Sequence, residues 1–192
     1  CAIFGALLFP LAGNAIQIAN NVMNHICHES VERGRDGCGF NIWEGDFHHT
    51  YKSTKKRDKG SYVDMEFFWG ANNDCSSIIG NLRAEPTTEF VLSKIKEDQQ
   101  PYSVLDWTVV HNGTIANDRD LRTMEVPTAI DSAAIPELLG GDNGYHSFHS
   151  KIELLKGSYA ILAHNKQDKD TIYLACNYRP IWYIKTEYGM FF

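Results

Sequence analysis

The first residue of the sequence carries two groups that can act together in catalysis. Cys1 offers a thiol nucleophile, and a terminal α-amine has a reference pKa of about 7.7 to 8.0, so part of it is unprotonated at neutral pH. One residue can therefore supply both nucleophile and base, as an N-terminal threonine does with its own amine. Taken alone, a terminal cysteine is more often an accident of processing than a catalytic nucleophile, so the hypothesis needs a second group elsewhere in the chain.

That second group is found in "VVHNGTIANDRDLR", residues 109–122. Asn112 followed by Gly113 after a strand normally predicts a hairpin turn. The following residues instead offer Asn117 as a helix cap with Leu121 behind it, so we expect the chain to leave the strand through an exposed corner and enter a helix. At such a corner the Asn112 amide and the Gly113 N–H can point at one spot, which is how an oxyanion hole is built.

The elements around Cys1 must hold it in place. The apolar stretch from Ala2 to Ala12 predicts a buried strand that begins at Cys1. It lacks the basic segment that precedes the apolar region of a signal peptide, and it is shorter than the roughly 20 residues that span a bilayer. Asn14 is then predicted to cap a helix whose apolar positions are Ile16, Ala19, Val22, Met23, Ile26 and Cys27.

The rest of the chain is rich in strand patterns, with helices between blocks of strands. Cys38, Phe40 and Ile42 alternate along one strand, and residues 44–60 predict a solvated hairpin or loop. Further strands are predicted at residues 62–69, 76–82, 102–110, 158–165, 171–177, 181–186 and 190–192, and helices from Thr87 or Thr88 to Ile95, around 131–139 and around 145–156. This order favours an α+β sandwich over strict βαβ alternation.

Length, charge and cysteine usage narrow the class of protein. The 192 residues predict one domain, 1–192, with a substantial core. A formal net charge of -6 leaves no basic surplus for a polyphosphate partner, so we expect no nucleic-acid binding. Five scattered cysteines without a CxxC pair suit reduced thiols, which indicates an intracellular, cytoplasmic protein that does not bind a membrane.

A metal site is the alternative use of the histidines. His25 and His28 are three residues apart on a predicted helix, with Cys27 between them, but His48 and His49 lie in a polar segment with no fixed spacing to them. The glycine-rich "LLGGDNG" neither follows a strand nor carries the lysine of a phosphate-binding loop. We therefore expect no metal and no cofactor.

Six features occur in the order expected of one family. They are Cys1, "RGRDG" at 33–37, "GNLRAEPTTE" at 80–89, "HNGTIAN" at 111–117, "DSAAI" at 131–135 and "LKGSYAI" at 155–161. Over nearly its whole length the chain resembles a class II glutamine amidotransferase domain of the N-terminal nucleophile hydrolase superfamily. The resemblance implies a four-layer αββα fold, with two stacked antiparallel sheets between outer helices.

The resemblance also implies a catalytic cycle. Cys1 would attack the side-chain amide of L-glutamine while Asn112 and Gly113 hold the oxyanion. Ammonia would leave behind a γ-glutamyl thioester, which water then hydrolyses. The ammonia would pass to a synthase or transferase domain or subunit, so the native chain is expected to continue beyond Phe192 or to dock on a separate partner.

Substrate-binding and supporting residues follow from the same resemblance. Arg83 would grip the α-carboxylate with its planar fork of donors, and Asp131 would bind the α-ammonium. Further substrate-binding candidates are His111 and Thr87 or Thr88, although a helix cap is the simpler interpretation of the threonines, and Arg33 and Asp36 would brace the loop beside Cys1. The chain departs from the usual family pattern at Ala2, Asn81 and Ala84, which replace a glycine, a histidine and a bulky residue.

Two other functions remain open from the sequence. One is a stand-alone amidase with the same terminal nucleophile, acting on a γ-glutamyl or other acyl amide. It would need no clamp for an α-amino acid, so Arg83 and Asp131 favour glutamine. The other is a non-catalytic relative that binds a partner through the sandwich surface, which the presence of Cys1, Asn112 and Gly113 disfavours.

Overall fold

A computed structural model describes residues 1–10, 13–55, 75–85, 95–123 and 125–192 of the chain. Within these residues two antiparallel sheets stack on each other. The strand predicted at 62–69, and Thr87 and Thr88 with the helix predicted to follow them, lie outside the described residues.

The first sheet has six strands in the order β3-β2-β4-β1-β10-β9. Their bounds are β1 Ala2–Leu8, β2 Gly37–Glu44, β3 Phe47–Ser53, β4 Cys75–Arg83, β9 Ile184–Lys185 and β10 Gly189–Phe191. The predicted opening strand is thus confirmed. In the segment 44–60, predicted as a hairpin or loop, residues 47–53 form β3, which pairs with β2, and residues 56–60 lie outside the described residues. In the 181–186 segment only β9 is a strand.

The second sheet has four strands in the order β5-β6-β7-β8. Their bounds are β5 Tyr102–Val104, β6 Trp107–Ile115, β7 Gly157–Asn165 and β8 Asp168–Asn177. The single strand predicted at 102–110 is wrong, because the chain reverses at Leu105 and Asp106, where Leu105 adopts a φ of 50°. The apolar alternation continues on both sides of this tight turn, which hid it in the sequence.

Helices cover the outer faces of both sheets. The α-helices are α1 Asn14–Val31, α2 Asp118–Leu121, α3 Ala134–Leu139 and α4 Tyr145–Ile152, and 3-10 turns occupy Lys96–Asp98 and Asp131–Ala133. The predicted Asn14 cap is wrong, because Gly13 holds the N-cap position and no side chain caps the helix. Helix α1 buries Ala19, Met23 and Cys27 against the six-stranded sheet.

The core lies in three layers between these elements. Ile78 faces α1, whereas its neighbour Ile79 faces the other sheet and meets Val110 and Leu162 there, because successive strand residues point to opposite faces. On the far side, α3 and α4 pack against Trp107 and the rest of the four-stranded sheet. The predicted four-layer αββα sandwich is confirmed. Across the described parts of the chain, no helix has the length and apolar character needed to cross a membrane.

Candidate active site

Cys1 lies directly before β1, at the edge where β4 ends. The antiparallel register pairs Ala2 with Leu82, which places the thiol beside Ala84. The Ala84 N–H donates to the Cys1 Sγ across 3.3 Å, and the thiol lies 3.5 Å from the Ala84 carbonyl oxygen. The side chain is partly exposed, so the sulfur is held by backbone while it remains accessible.

Asp36 holds the turn that contacts Cys1. Its N–H donates to the Arg83 carbonyl across 2.9 Å, and its carboxylate accepts the Glu85 N–H at the same distance. The two bonds flank Ala84 on both sides. The position of the backbone that touches the thiol therefore depends on Asp36.

Two cations act on the α-amine of Cys1. Partial burial lowers the pKa of this amine below its ordinary value of 8.0, and the positive charges of Arg33 and Arg179 lower it further, while Asp36 opposes them. A lower pKa increases the fraction of free base at neutral pH. The amine of Cys1 is therefore suited to accept a proton from its own thiol.

Asn112 and Gly113 lie within β6, paired with Ala160 and Tyr159 of β7. The predicted exposed corner at these residues is wrong, because the strand continues to Ile115 before the chain enters α2 at Asp118. Gly113 has a φ of +146°, and a Cβ there would lie 1.9 Å from the Ser158 carbonyl oxygen. The strand pairing thus requires glycine at this position.

A cavity of about 210 Å³ adjoins the strand that Cys1 precedes. Asn112 from β6, Ala2 from β1 and Arg33 line it. Its remaining lining is largely apolar and includes Ile3, Ile26, Ala160, Leu162, Pro180, Ile181, Trp182 and Phe192. Asn112 and the start of β1 therefore border the same space.

Asn81 joins the strands that carry these groups. Its buried side-chain amide donates to the Ala2 carbonyl and to the His111 carbonyl, each across 3.3 Å. One side chain therefore links the residue after Cys1 to the residue before Asn112. The sequence marked Asn81 only as a departure from the family pattern.

Gln100 also hydrogen-bonds to the backbone of His111 in β6. Its side-chain oxygen accepts the His111 N–H at 2.6 Å, and its amide donates to the His111 carbonyl at 3.0 Å and to the Ser132 hydroxyl at 3.2 Å. Gly39 makes room for this arrangement, because a Cβ there would lie 1.9 Å from the Gln100 carbonyl oxygen. No local pattern in the sequence signals this role of Gln100.

Asp131 is a third residue whose side chain hydrogen-bonds to the backbone of β6. Its carboxylate accepts the Ile115 N–H at 2.7 Å and the Ser132 N–H at 2.9 Å. Ser132 in turn lies 2.7 Å from Nδ1 of His111. Burial lowers the pKa of His111 to about 4, although the Asp131 carboxylate acts in the opposite direction, so the imidazole is neutral at physiological pH.

Arg83 is buried at the end of β4. Its guanidinium donates to the carbonyl of Asp98, which also accepts the Tyr102 hydroxyl at 2.8 Å. The Asp98 carboxylate accepts the Thr128 hydroxyl at 2.6 Å. Arg83 is thus anchored by the segment that leads to Gln100.

The structure separates the predicted site residues into two groups. Cys1, Arg33, Asp36 and Arg83 lie at the end of β4, whereas His111, Asn112, Gly113 and Asp131 lie along or beside β6. Thr87 lies outside the described residues. Among the residues that the structure describes, no group of three or more His, Cys, Asp and Glu side chains is arranged to hold a metal ion. No disulfide joins the five cysteines, all of which are described.

Sequence comparison identifies longer relatives. The chain is 32% identical to a 7-cyano-7-deazaguanine synthase of Saccharolobus solfataricus over 95% of its own length and 39% of that protein. It is 26% identical to a glutamine–fructose-6-phosphate aminotransferase of Bacillus spizizenii over 78% of its own length and 25% of that protein. The chain thus spans less than half the length of these relatives. No protein-family profile matches it.

Structural comparison agrees on the fold. A glutamine phosphoribosylpyrophosphate amidotransferase from B. subtilis, in complex with ADP and GMP, superposes with a TM-score of 0.63. The match covers 100% of this chain and 41% of that one, at 18% sequence identity. At this level of identity the similarity concerns the arrangement of the sheets and helices.

Proposed function

The chain has the N-terminal nucleophile fold of the class II glutamine amidotransferase domains, the family that it resembles, and we propose that it is a glutaminase domain. It would hydrolyse the side-chain amide of L-glutamine to glutamate and ammonia. The observation that carries the proposal is the position of Cys1: a partly exposed thiol, beside an amine of lowered pKa, directly precedes Ala2, which lines a cavity together with Asn112.

The proposed reaction begins with proton transfer from the Cys1 thiol to its own α-amine. The thiolate then attacks the side-chain carbonyl carbon of glutamine, and the Asn112 amide and Gly113 N–H donate to the oxyanion that forms. The protonated α-amine of Cys1 then donates its proton to the leaving nitrogen of glutamine, and ammonia departs. Water, deprotonated by the same amine, attacks the thioester and releases glutamate with the thiol restored.

Substrate recognition is proposed to rest on opposite charges. Arg83 would bind the α-carboxylate and Asp131 the α-ammonium of glutamine. The Asp131 carboxylate already accepts two backbone N–H groups, but an ionised carboxylate has about four lone-pair sites and so retains capacity for an ammonium. His111 belongs to this site through its bond to Ser132, Arg33 and Asp36 support Cys1, and Thr87 remains a further candidate.

The ammonia is proposed to pass to a synthase or transferase portion of the same protein or of a subunit. The names of the relatives contain two classes of compound, a deazapurine and a sugar phosphate, and we propose each as a candidate class of acceptor. The match to the deazaguanine synthase covers more of this chain and is higher in identity, which favours the deazapurine. We expect the isolated domain to hydrolyse glutamine slowly, and the acceptor portion to raise this rate when its own substrate is bound.

The test is intact-mass analysis of the protein after exposure to a glutamine-like diazo ketone, together with glutamate production from glutamine. We expect one label on Cys1, and loss of both label and activity in Cys1→Ala or when a methionine precedes Cys1. Cys176→Ala is the matched control, because Cys176 is an exposed thiol that the reagent can reach. Cys75 is less suitable as a control, since burial raises the pKa of its thiol to about 12. Activity that survives in both Cys1 variants would refute the mechanism.

Hydrolysis rates with different amides distinguish the proposed glutaminase from the alternative, a stand-alone amidase. A stand-alone amidase would hydrolyse a γ-glutamyl or other acyl amide at least as well as glutamine, and acceptor compounds would not change its rate. A panel of amides with and without the α-amino and α-carboxylate groups therefore decides between the two.

A further inference from the structure

Four large apolar side chains lie exposed within seven residues after β8. Tyr178, Trp182, Tyr183 and Ile184 have exposed fractions of 90%, 82%, 66% and 57%. We call these four residues the aromatic patch. Large exposed apolar side chains that lie close in the sequence are candidates for an interaction site, and Trp and Tyr are enriched among the residues that contribute most to binding energy.

The aromatic patch adjoins the candidate active site. Trp182, with Pro180 and Ile181 before it, lines the cavity that Asn112 and Ala2 also line. Ile184 belongs to β9, which forms one edge of the six-stranded sheet and pairs only with β10 among the described strands. A partner seated on this edge would therefore also cover one wall of the cavity.

The charges around the aromatic patch differ from those of the chain as a whole. Arg179 and Lys185 are exposed and flank the apolar side chains, and no acidic residue occurs between 178 and 185. The chain has a formal net charge of -6. The patch therefore fits a surface that is apolar at its centre and acidic at its rim.

We propose that the aromatic patch is the docking surface for the ammonia-accepting portion of the protein. This inference rests on the proposed glutaminase function. The chain covers 39% of the deazaguanine synthase relative, so more than half of a protein of that kind lies outside the matched region and needs a surface to pack against. Docking here would close the cavity over Asn112 and keep released ammonia from bulk water.

The experiment is hydroxyl-radical footprinting of the native protein that contains the acceptor portion, with residues 1–192 expressed alone for comparison. Tyr145 is the internal reference, because its exposed fraction of 65% is close to the 66% of Tyr183. Tyr145 lies elsewhere, on α4 over the four-stranded sheet. In the native protein we expect Tyr183 to be modified at least fivefold less than Tyr145. Cross-links from Lys185 should map to the acceptor portion.

Two double variants of the native protein provide a second readout. Tyr183→Glu with Ile184→Glu should restore modification of Tyr178 and Trp182 at least fivefold. Tyr145→Glu with Leu105→Glu is the matched control, because Leu105 is 60% exposed at the β5–β6 turn, and it should leave their protection unchanged. Thermal unfolding of both variants checks that the fold is retained.

The outcomes distinguish the docking surface from the proposed function. Equal modification of Tyr183 and Tyr145 in the native protein, or cross-links that join two copies of residues 1–192, would overturn the docking surface while glutaminase activity stands. Protection with cross-links to the acceptor portion supports the docking surface, even where no glutamate is formed. In that case the glutaminase proposal fails separately.

Discussion

The side-chain amide of Asn81 donates a hydrogen bond to the carbonyl of His111 across 3.3 Å. The same nitrogen lies 3.3 Å from the carbonyl oxygen of Ala2. Because Ala2 follows Cys1 and His111 precedes Asn112, this one buried amide relates the proposed nucleophile to the proposed oxyanion donor. A catalytic geometry of this kind tolerates little displacement, since misplacement by about 1 Å costs on the order of 10²-fold in rate.

Replacement of Asn81 by alanine tests this relationship. We expect Asn81→Ala to lower kcat for glutamine hydrolysis at least tenfold, because the two strands lose their shared donor. Unfolding free energy should fall by about 1 to 3 kcal/mol, because the Ala2 carbonyl loses this donor and the His111 carbonyl keeps only the Gln100 amide as a side-chain donor. Steady-state kinetics and denaturant unfolding measure the two effects.

Asn41→Ala is the matched control for this variant. Asn41 is equally buried and lies 2.6 Å from Nδ1 of His164 and 2.9 Å from the Thr50 hydroxyl. It should lose similar stability and keep its kcat. Equal loss of kcat in both variants would mean that Asn81 acts only through general stability.

Binding and chemistry separate in a second set of variants. Asn112→Ala should lower kcat by on the order of 10² to 10³ with little change in KM, because an oxyanion donor acts mainly in the transition state. Arg83→Ala and Asp131→Ala should chiefly raise KM, since charge contacts to the α-groups are present in the ground state as well. The reverse pattern would require the roles to be exchanged.

The pH profile reports on the Cys1 amine. Partial burial, then Arg33, lowers the pKa of this amine below 8.0, so kcat/KM should rise with pH through an apparent pKa below that value. Removing the cation in Arg33→Ala should move this rising limb to higher pH. Arg33→Lys keeps the positive charge and should leave the limb at its original pH. Arg119→Ala, which removes an exposed charge on α2, serves as the control. An unchanged limb in Arg33→Ala would contradict the electrostatic role.

Acid stability tests a buried histidine away from the site. Burial, with a further contribution from His48, lowers the pKa of His164 to about 3. Between an unfolded-state pKa of about 6.5 and that value, the unfolded chain binds the proton that the folded chain excludes, so stability falls as pH falls. His164 alone contributes a slope of up to about 1.4 kcal/mol per pH unit.

Denaturant unfolding between pH 7 and pH 4 measures this slope. His164→Gln should flatten it, whereas His146→Gln, at an exposed position on α4, should leave it unchanged. Equal slopes in all three proteins would exclude His164 as the source of acid sensitivity. His111 and His48, whose pKa values are also lowered by burial, contribute to the slope in the same direction.

Local patterns were sufficient for most elements of the fold. The apolar run after Cys1, the 3.6-residue period of α1 and the two-residue period of β2 each predicted their elements, because burial of one face imposes a fixed repeat on the residues. The errors came where a short signal was ambiguous. The β5–β6 turn at Leu105 contains no glycine or proline, and Asn112-Gly113 lies inside a strand although it has turn composition.

The sequence alone determined which chemical groups are available. These are a thiol and an amine on Cys1, and an asparagine and a glycine in the segment 111–117, which resembles a motif of the amidotransferase family. Only the tertiary structure decided which residues hold these groups in relation to one another. Asn81 bonds to partners 79 and 30 residues away, and Gln100 and Asp131 bond to β6 from segments that precede and follow it in the sequence. Such bonds depend on how two sheets stack, and no short-range periodicity encodes a hydrogen bond across that distance.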